Sequence, residues 1–451
     1  MSKKRHTIYF LSLGCAKNRV DTEVMAGISL QKGYQIVADA KDADIILVNT
    51  CAFIEKAREE SIATLLDMVA TLAKRGKEGS LIAAGCLAQR YPAELAAEMP
   101  ELAHILGTGQ IHRFADLLDG TAQRIEVGKA GHFLQSTDTP RFIEPSSKSA
   151  YIKIADGCSR KCAFCSIPMI RGTTASSRSI EEIVEESRRL TEQGIKELNL
   201  VAQDTSTYGR ERRDGTTLIE LLRQLDSSSG ATWIRLLYLY PDAVSDTLLR
   251  TIASLPRVVP YLDIPIQHVS ANMLKTMRRG HTRERVKELI VRARELVPDA
   301  FLRTTVLVGH PGETDRDFQQ LLEFIEWAKF NHLGVFRYSD EEGTAARSLK
   351  NKVSARVSYN RFRKVVALQR RIAKYKNKEL IGKQVAVLAE SYDDEQGYVI
   401  RGRHAGQAPS VDGVTFLVSC DASPGEMVNA RVVDSGDYDL VAEPLDPDID
   451  E

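Results

Sequence analysis

The stretch Tyr151-Ile152-Lys153-Ile154-Ala155-Asp156-Gly157-Cys158-Ser159-Arg160-Lys161-Cys162-Ala163-Phe164-Cys165 decides how the rest of the chain is read. Its first five residues predict a strand, and three cysteines in a Cys-x3-Cys-x2-Cys spacing follow at once. Thiolates this close can hold three irons of a cubane cluster, which normally takes four cysteines. The nearest other cysteines in sequence are Cys86 and Cys420, so one iron can stay open. An open iron can be chelated by the amino and carboxylate groups of S-adenosylmethionine. An electron passed through the cluster then cleaves the sulfonium to a 5′-deoxyadenosyl radical. The competing reading is zinc, which usually shows paired Cys-x2-Cys or a histidine completing four ligands. The spacing and the strand before it favour the cluster, because the C-terminal ends of parallel strands carry the active sites of such folds.

Downstream, the alternation of strands and helices is regular. Six strands are predicted at Tyr151–Ala155, Lys196–Ala202, Trp233–Leu239, Tyr261–Ile266, Phe301–Val308 and Gly334–Tyr338, with helices such as Ser179–Glu192, Thr216–Leu225 and Thr282–Leu296 between them. Periodicity allows either an open sheet or an incomplete barrel. Upstream, strands at Ile8–Leu13, Asp44–Val48 and Ser80–Ala84 alternate with helices at Asp21–Lys32, Ala57–Lys74 and Ala93–Met99, another α/β pattern. Cys15, Cys51 and Cys86 each fall just past one of these strands. In a parallel sheet those ends share an edge, so three thiols distant in sequence can converge. The alternative is three small core residues, but three equivalent placements argue for a second cluster. Cys420 stands alone and reads as a core residue. The Ser-, Thr- and Pro-rich run from Gln135 to Ser149 reads as a linker.

The chain has 451 residues, room for roughly three domains of ~150 residues. Lys+Arg and Asp+Glu are equal at 61 each, so only the distribution of charge is informative. Lys352 to Lys383 holds eleven Lys or Arg and one acid, Glu379. That segment, helical in part, is either a nucleic-acid contact or a solvated face beside the acidic domain that follows. From Gln384 to Glu451 there are fifteen Asp or Glu against three Arg, a net charge of −12. Such a field repels phosphate and attracts a basic partner; Asp434, Asp437 and Asp439 cluster at one turn and are its natural contacts. Five short strands, Gln384–Ser391, Gly397–Arg403, Val414–Ser419, Glu426–Val433 and Tyr438–Glu443, predict a small β-barrel. The acidic end, Asp446 to Glu451, is expected to fray. No apolar run is long enough to span a bilayer, and the basic start followed by a short, interrupted apolar stretch reads as a first strand rather than a signal peptide. A cytoplasmic location is expected, where seven cysteines serve metal or catalysis rather than disulfides.

Three words in the first domain resemble the methylthiotransferase family of radical S-adenosylmethionine enzymes: Ser12-Leu13-Gly14-Cys15-Ala16-Lys17-Asn18, Asn49-Thr50-Cys51-Ala52-Phe53-Ile54 and Gly85-Cys86-Leu87-Ala88-Gln89-Arg90-Tyr91. Ala155 through Pro168 resembles that family's radical motif, and the last ~70 residues resemble its TRAM domain. The resemblance implies an N-terminal parallel-sheet α/β domain (1–130), a linker (131–149), a central partial (β/α)6 barrel of the radical type (150–375) and a TRAM-like β-barrel (376–445). It implies two 4Fe–4S clusters, one on Cys158, Cys162 and Cys165 that makes the radical, and one on Cys15, Cys51 and Cys86 that holds the sulfur to be donated. One S-adenosylmethionine methylates that sulfur, and a second supplies the radical that takes hydrogen from an unactivated carbon. Polar residues at strand ends are candidates for holding the cofactor: Gln203, Asp204, Gln267 with His268, Arg303, and Tyr338 with Ser339. Any of these could instead cap a helix or satisfy the rim. His268 could be a general base, which radical chemistry does not require. Two places depart from the family pattern: His310 stands where Phe is usual, and Thr173 to Arg178 lacks the usual arginine and runs one residue longer.

Several words lean toward the family branch that modifies an aspartate β-carbon on ribosomal protein uS12: Asn49 to Glu55, Val201 to Thr205 and Ile264 to His268. The acidic C-terminal domain agrees, since ribosomal proteins are basic. The alternative branch modifies adenosine in tRNA. An iron–sulfur scaffold or electron carrier is the remote alternative, since carriers are usually small and cap every iron with cysteine. An electron donor such as flavodoxin or ferredoxin is the expected redox partner.

Overall fold

The computed structural model describes residues 6–74, 80–393 and 399–445. The basic start at residues 1–5, the acidic end at 446–451 and the first two residues of the strand expected at Gly397–Arg403 lie outside these. The first domain holds six strands: β1 (Thr7–Ser12), β2 (Gln35–Ile36), β3 (Ile45–Thr50), β4 (Ser80–Gly85), β5 (Leu102–Leu106) and β6 (Ile125–Glu126). They pair in parallel in the order β2-β1-β3-β4-β5-β6. β3 and β4 are buried almost end to end, which is why they read as continuous apolar runs rather than alternating ones. β2 and β6 are too short to show a period, and His104 interrupts β5, so the sequence did not reveal them. The first helix starts at Ala16, five residues before the expected Asp21, because Lys17, Asn18 and Arg19 hide its opening turn.

The central domain supplies β7 (Ser149–Lys153), a small ribbon of β8 (Ala155–Asp156) and β9 (Ser176–Ser177), then β10 (Glu197–Val201), β11 (Trp233–Leu236), β12 (Val258–Asp263), β13 (Phe301–Val308) and β14 (His332–Arg337). Six of these pair in parallel in the simple order β14-β13-β12-β11-β10-β7, the open barrel of a (β/α)6 unit. One face packs on the surrounding helices around Leu198, Leu200, Ile234, Leu262, Leu302 and Val306. Capping boxes at Ser179/Glu182 and Thr314/Asp317 start two of those helices. The helix Ala16–Gln31 packs against the β7 edge, and the helix Ala355–Lys378 packs against β14. The stretch expected to be a linker is strapped down. Arg141 pairs with Glu23 and with Glu186, both at 2.6 Å, and Ile143 joins the core of the central domain.

β15 (Gln384–Tyr392), β16 (Ile400–His404), β17 (Thr415–Leu417), β18 (Met427–Ser435) and β19 (Leu440–Pro444) close the C-terminal barrel. The segment after β16 enters the lower mouth of the central barrel. Arg235 Nη1 donates to the carbonyl of Ala405 at 2.8 Å, and Tyr261 Oη donates to Asp412 at 2.6 Å. Arg403 bridges Glu197 of the central domain and Glu390 of its own. Asp437, expected to contact a basic partner, is held within the molecule by Arg370 and Lys374 of the long basic helix. With Glu390 and Asp412 also engaged, part of the −12 charge is compensated inside the molecule. Among the described residues, no helix is long and apolar enough to cross a membrane.

Candidate active site at facing sheet edges

β1, β3 and β4 are neighbours, so the residues that follow them gather on one edge. Cys15 is the N-cap of the helix Ala16–Gln31, Cys51 follows β3 directly, and Cys86 opens a short helix after β4. Gly14, at φ +91°, lets this edge close: a Cβ there would sit 2.9 Å from Cys51 Cβ and 3.1 Å from its sulfur. Ser61 fixes Cys51 by accepting from its N–H at 2.9 Å and donating to its carbonyl at 2.8 Å. Asn18 ties all three segments together. Its Nδ2 donates to the carbonyls of Leu13 (3.1 Å) and Thr50 (2.9 Å), and its Oδ1 accepts from the Cys86 thiol at 3.6 Å.

Cys158, Cys162 and Cys165 lie on the loop between β8 and the helix Ile167–Arg171. The loop backbone is pinned where Ala163 N donates to Met277 O at 3.0 Å and Ala346 N donates to Ala163 O at 2.8 Å. Arg279 Nη1 lies 3.3 Å from the sulfur of Cys162. The ring of Tyr240 has the Arg160 guanidinium 3.7 Å and the Arg279 guanidinium 4.2 Å from its centroid, so the thiols sit beside two cations.

A buried ionic group joins the two edges. Arg171 meets Asp21 at 2.8 Å and Asp156 at 3.3 Å, Lys153 meets Asp21 at 2.6 Å, and Arg171 Nη2 donates to Asn18 Oδ1 at 2.8 Å. All are at most 2% exposed. Arg171 follows the Cys165 loop and Asn18 follows Cys15, so one hydrogen bond couples the frames of both triads. Lys17 extends its ammonium to 3.9 Å from the ring centroid of Tyr238, just past β11. On the opposite rim, Glu341 receives Arg58 at 3.2 Å and Arg90 at 2.6 Å. The first domain therefore spans the mouth of the central barrel. The sequence reading missed Asn18, Asp21, Lys153, Asp156, Arg171 and Arg279. The available signal was a lysine inside an apolar strand and an aspartate at its end, placings that are rare unless paired.

The expected cofactor contacts separate into two groups. Gln203 donates to Asp156 at 2.6 Å and keeps a buried Oε1 that has no partner among the described residues. Gln267 sits at φ +67° above the end of β12, bridged to Val306 of β13. Asp204, by contrast, is held by Arg160 at 2.7 Å and by the Ser206 hydroxyl. Arg303 is not at a strand end. It is the third residue of β13, paired with Asp263 at 2.9 Å and facing Asp412 at 3.5 Å. His268 Nδ1 accepts from the backbone N–H groups of Val269 (2.9 Å) and Ser270 (3.0 Å). Its Nε2 therefore carries the proton and faces Glu313 at 3.4 Å, a structural tautomer rather than a base. Tyr338 and Ser339 point at Asp340 (2.9 Å) and Glu341 (2.6 Å).

Burial pushes the thiols of Cys86 and Cys165 up to about 12 and raises those of Cys51 and Cys158. Desolvation by the packed groups around it acts the same way on Cys15, although this residue is exposed, but Lys17 and Arg171 outweigh it and hold that thiol below its ordinary value. Among the described residues no three His, Cys, Asp or Glu converge closely enough to share a single ion. The fit to a cluster rests instead on donor chemistry: six free thiols in two sets of three, with cations at each set to offset the charge of thiolates.

Three family models match the chain in order: "Uncharacterized protein family UPF0004" over residues 7–107, "Radical SAM superfamily" over 152–325 and "TRAM domain" over 381–445. Fold and site together define a radical S-adenosylmethionine protein with a domain on either side of the partial barrel. Among solved structures, the radical S-adenosylmethionine methyltransferase TsrM from Kitasatospora setae, with cobalamin and a 4Fe–4S cluster bound, aligns at a TM-score of 0.56. It shares 14% identity over 74% of this chain and 75% of that one. The cobalamin-dependent radical enzyme OxsB aligns at 0.52, with 10% identity over 81% of this chain and 56% of that one. At these identities the likeness concerns the fold alone. Curated relatives named ribosomal protein uS12 methylthiotransferase RimO are far closer. The protein from Sorangium cellulosum is 45% identical over 97% of this chain and 91% of its own length, and that from Geobacter sulfurreducens is 43% identical over 98% and 99%. The chain belongs to the methylthiotransferase family that these relatives represent.

Proposed function

We propose that this enzyme adds a methylthio group to the β-carbon of an aspartate in ribosomal protein uS12, using two 4Fe–4S clusters and S-adenosylmethionine. The observation that carries this reading is the pair of cysteine triads on facing edges, coupled through Arg171 and Asn18. Cys158, Cys162 and Cys165 would hold one cluster, and Cys15, Cys51 and Cys86 the other. When bound, the open-iron cluster supplies with S-adenosylmethionine the radical needed to break a C–H bond too weakly acidic for base catalysis. The protein's own residues supply the positioning. Gln203 and Gln267 offer amide groups toward the cofactor, while Asp204 and Arg303 act from behind through Arg160 and Asp263. The first domain spans the mouth through its contacts at Arg171 on one rim and Glu341 on the other. The relatives' shared name supports uS12 over tRNA as substrate. A reductant of the flavodoxin or ferredoxin kind, a cytoplasmic setting and the divisions 1–130, 131–149, 150–375 and 376–445 complete the reading, with the helix Ala355–Lys378 crossing the last boundary.

Anaerobically reconstituted protein is expected to hold about eight irons, from two four-iron clusters. Replacing either triad with alanine should leave about four. The variant without Cys15, Cys51 and Cys86 should still cleave S-adenosylmethionine but transfer no methylthio group. Offered both uS12 and tRNA, the enzyme should add the methylthio mass to uS12 alone. That mass on tRNA adenosine, with uS12 unchanged, would refute the substrate.

A further inference from the structure

We infer that the first half of the helix Ala355–Lys378 is an RNA-binding surface, so that the enzyme engages uS12 as part of a ribonucleoprotein. This rests on the uS12 assignment and extends it to the substrate's assembly state.

Charge in the last hundred residues is segregated, with eleven bases and one acid between Lys352 and Lys383. The structure divides those bases. Arg370 and Lys374 dock on Asp437, Arg371 on Glu326 and Lys376 on Glu379. Arg361 is buried against Glu313 and Asp315. Arg356, Arg363 and Lys364 are exposed, and among the described residues none of them makes an ion pair. Positions 356 and 363 are seven apart and share one helix face, with 364 beside them. Arg356 lies in the first turn of a helix with no acid there. A cation opposes the helix dipole at that end, so its placing does not serve the helix.

An aromatic platform stands among these cations. Tyr359 is 49% exposed on the same face, and its ring runs nearly parallel to that of Phe362, with centroids 6.4 Å apart and planes 13° apart. The guanidinium of Arg337, the last residue of β14, is 5.8 Å from the Tyr359 ring centroid and adds a fourth positive charge. Cations spaced along a face with an exposed, pre-oriented ring match single-stranded or looped RNA, whose phosphates pair and whose bases stack. The two residues after Arg337 run directly into the rim contact with the first domain, since the backbone N–H of Glu55 donates to Ser339 Oγ at 3.1 Å. RNA on this face would thus lie beside the mouth that receives the aspartate. The neighbouring acidic barrel suits the basic protein, and the basic half-helix suits its RNA.

The test uses the reconstituted full chain, a triple variant (Arg356→Glu, Arg363→Glu, Lys364→Glu) and Tyr359→Ala. Binding of a fluorescent single-stranded RNA oligonucleotide is measured across salt concentrations, and methylthiolation is measured on free uS12 and on intact small subunits. The triple variant should bind RNA at least about tenfold more weakly and lose about two units of log–log salt slope, as expected for three phosphate contacts. Tyr359→Ala should weaken binding with little change in slope. Modification of free uS12 should be unchanged in both variants, while modification of small subunits should fall about tenfold in the triple variant. Equal RNA affinity of the triple variant and the parent overturns the surface and leaves the substrate standing. Modification of free uS12 with small subunits untouched by the parent enzyme overturns the ribonucleoprotein part. Modification of neither form of uS12 overturns the substrate assignment itself.

Discussion

At the scale of single residues, Asn18 does the most with the least signal. It donates to two backbone carbonyls, accepts from Arg171 and touches Cys86. Replacing it with alanine leaves two buried carbonyls and a buried guanidinium without this partner. Each such loss costs about 1–3 kcal/mol, so Asn18→Ala should lower stability by several kcal/mol and reduce iron from about eight to about four per chain. A denaturant midpoint and an iron assay check both; full iron with an unchanged midpoint would remove Asn18 from the frame. His268 is the opposite case, a conspicuous residue with a structural place. In sequence it reads as a possible base beside Gln267, yet two backbone donors fix its tautomer. His268→Gln should retain S-adenosylmethionine cleavage while costing about 1–3 kcal/mol for the unsatisfied donors. Loss of cleavage in a variant that still melts cooperatively would restore a catalytic role.

At the scale of elements, the decisive feature is the segment between His404 and Asp412, which leads from one strand of its own barrel toward the next yet bonds to four strands of another domain. Tyr261 Oη and Arg303 both meet Asp412 there, and His332 Nε2 lies 2.7 Å from the carbonyl of Gly406. Among the described residues, Asp412→Ala leaves Arg303 with Asp263 as its one carboxylate partner. Removing one partner of a buried pair costs about 3–5 kcal/mol, and the loss should be concentrated at the contact between the C-terminal barrel and the central domain. Hydrogen exchange would show faster exchange in β15, β16 and β12 than in the first domain. Uniform exchange throughout would mean that the apolar contacts of Leu388 and Ala408 with Trp233 and Tyr261 fix the barrel alone. The elements themselves were largely legible, because β3 and β4 are nearly continuous apolar runs, β13 alternates in burial before an apolar end, and helices such as Ile180–Glu192 have strong caps. β2, β6, β8 and β9 were not, since two-residue strands carry no period.

At the scale of the whole molecule, three buried histidines set an acid limit. Burial depresses His281 and His310 to about 4 and His404 to about 3. The unfolded chain protonates these groups near 6.5, so between pH 6.5 and about 4 it binds more protons than the folded one. Stability therefore falls with pH across that window, by up to about 1.4 kcal/mol per pH unit for each histidine. Asp156, Glu186 and Glu197 act in a lower window. They too are opposed by burial, but Arg171, Arg178 and Arg235 lead the attractions that hold them below the ordinary carboxylate range. Their stabilisation is present above about 4 and is lost as pH falls through the depressed values. Urea midpoints at pH 7.5 and 5.5 should differ clearly; identical midpoints would show that the histidines are not neutral in the folded protein.

The sequence by itself determined the chemistry and the order of domains. Cys158, Cys162 and Cys165 are close in the chain, so their spacing alone puts three thiols on one loop, and Cys15, Cys51 and Cys86 each follow an apolar strand, which suffices to place them on one sheet edge. What only the tertiary structure decided is how the two edges meet and which polar groups are already spent. Arg171 finds Asn18 across 153 positions of sequence, Arg303 is claimed by Asp263 and Asp412, and the basic helix gives Arg370 and Lys374 to Asp437 while Arg356 and Arg363 make no ion pair among the described residues. Hydrophobic periodicity reports whether a face is buried, not which distant charge will lie opposite it. A buried charge must be paired, and its partner is set by how domains pack, which no local pattern of residues encodes.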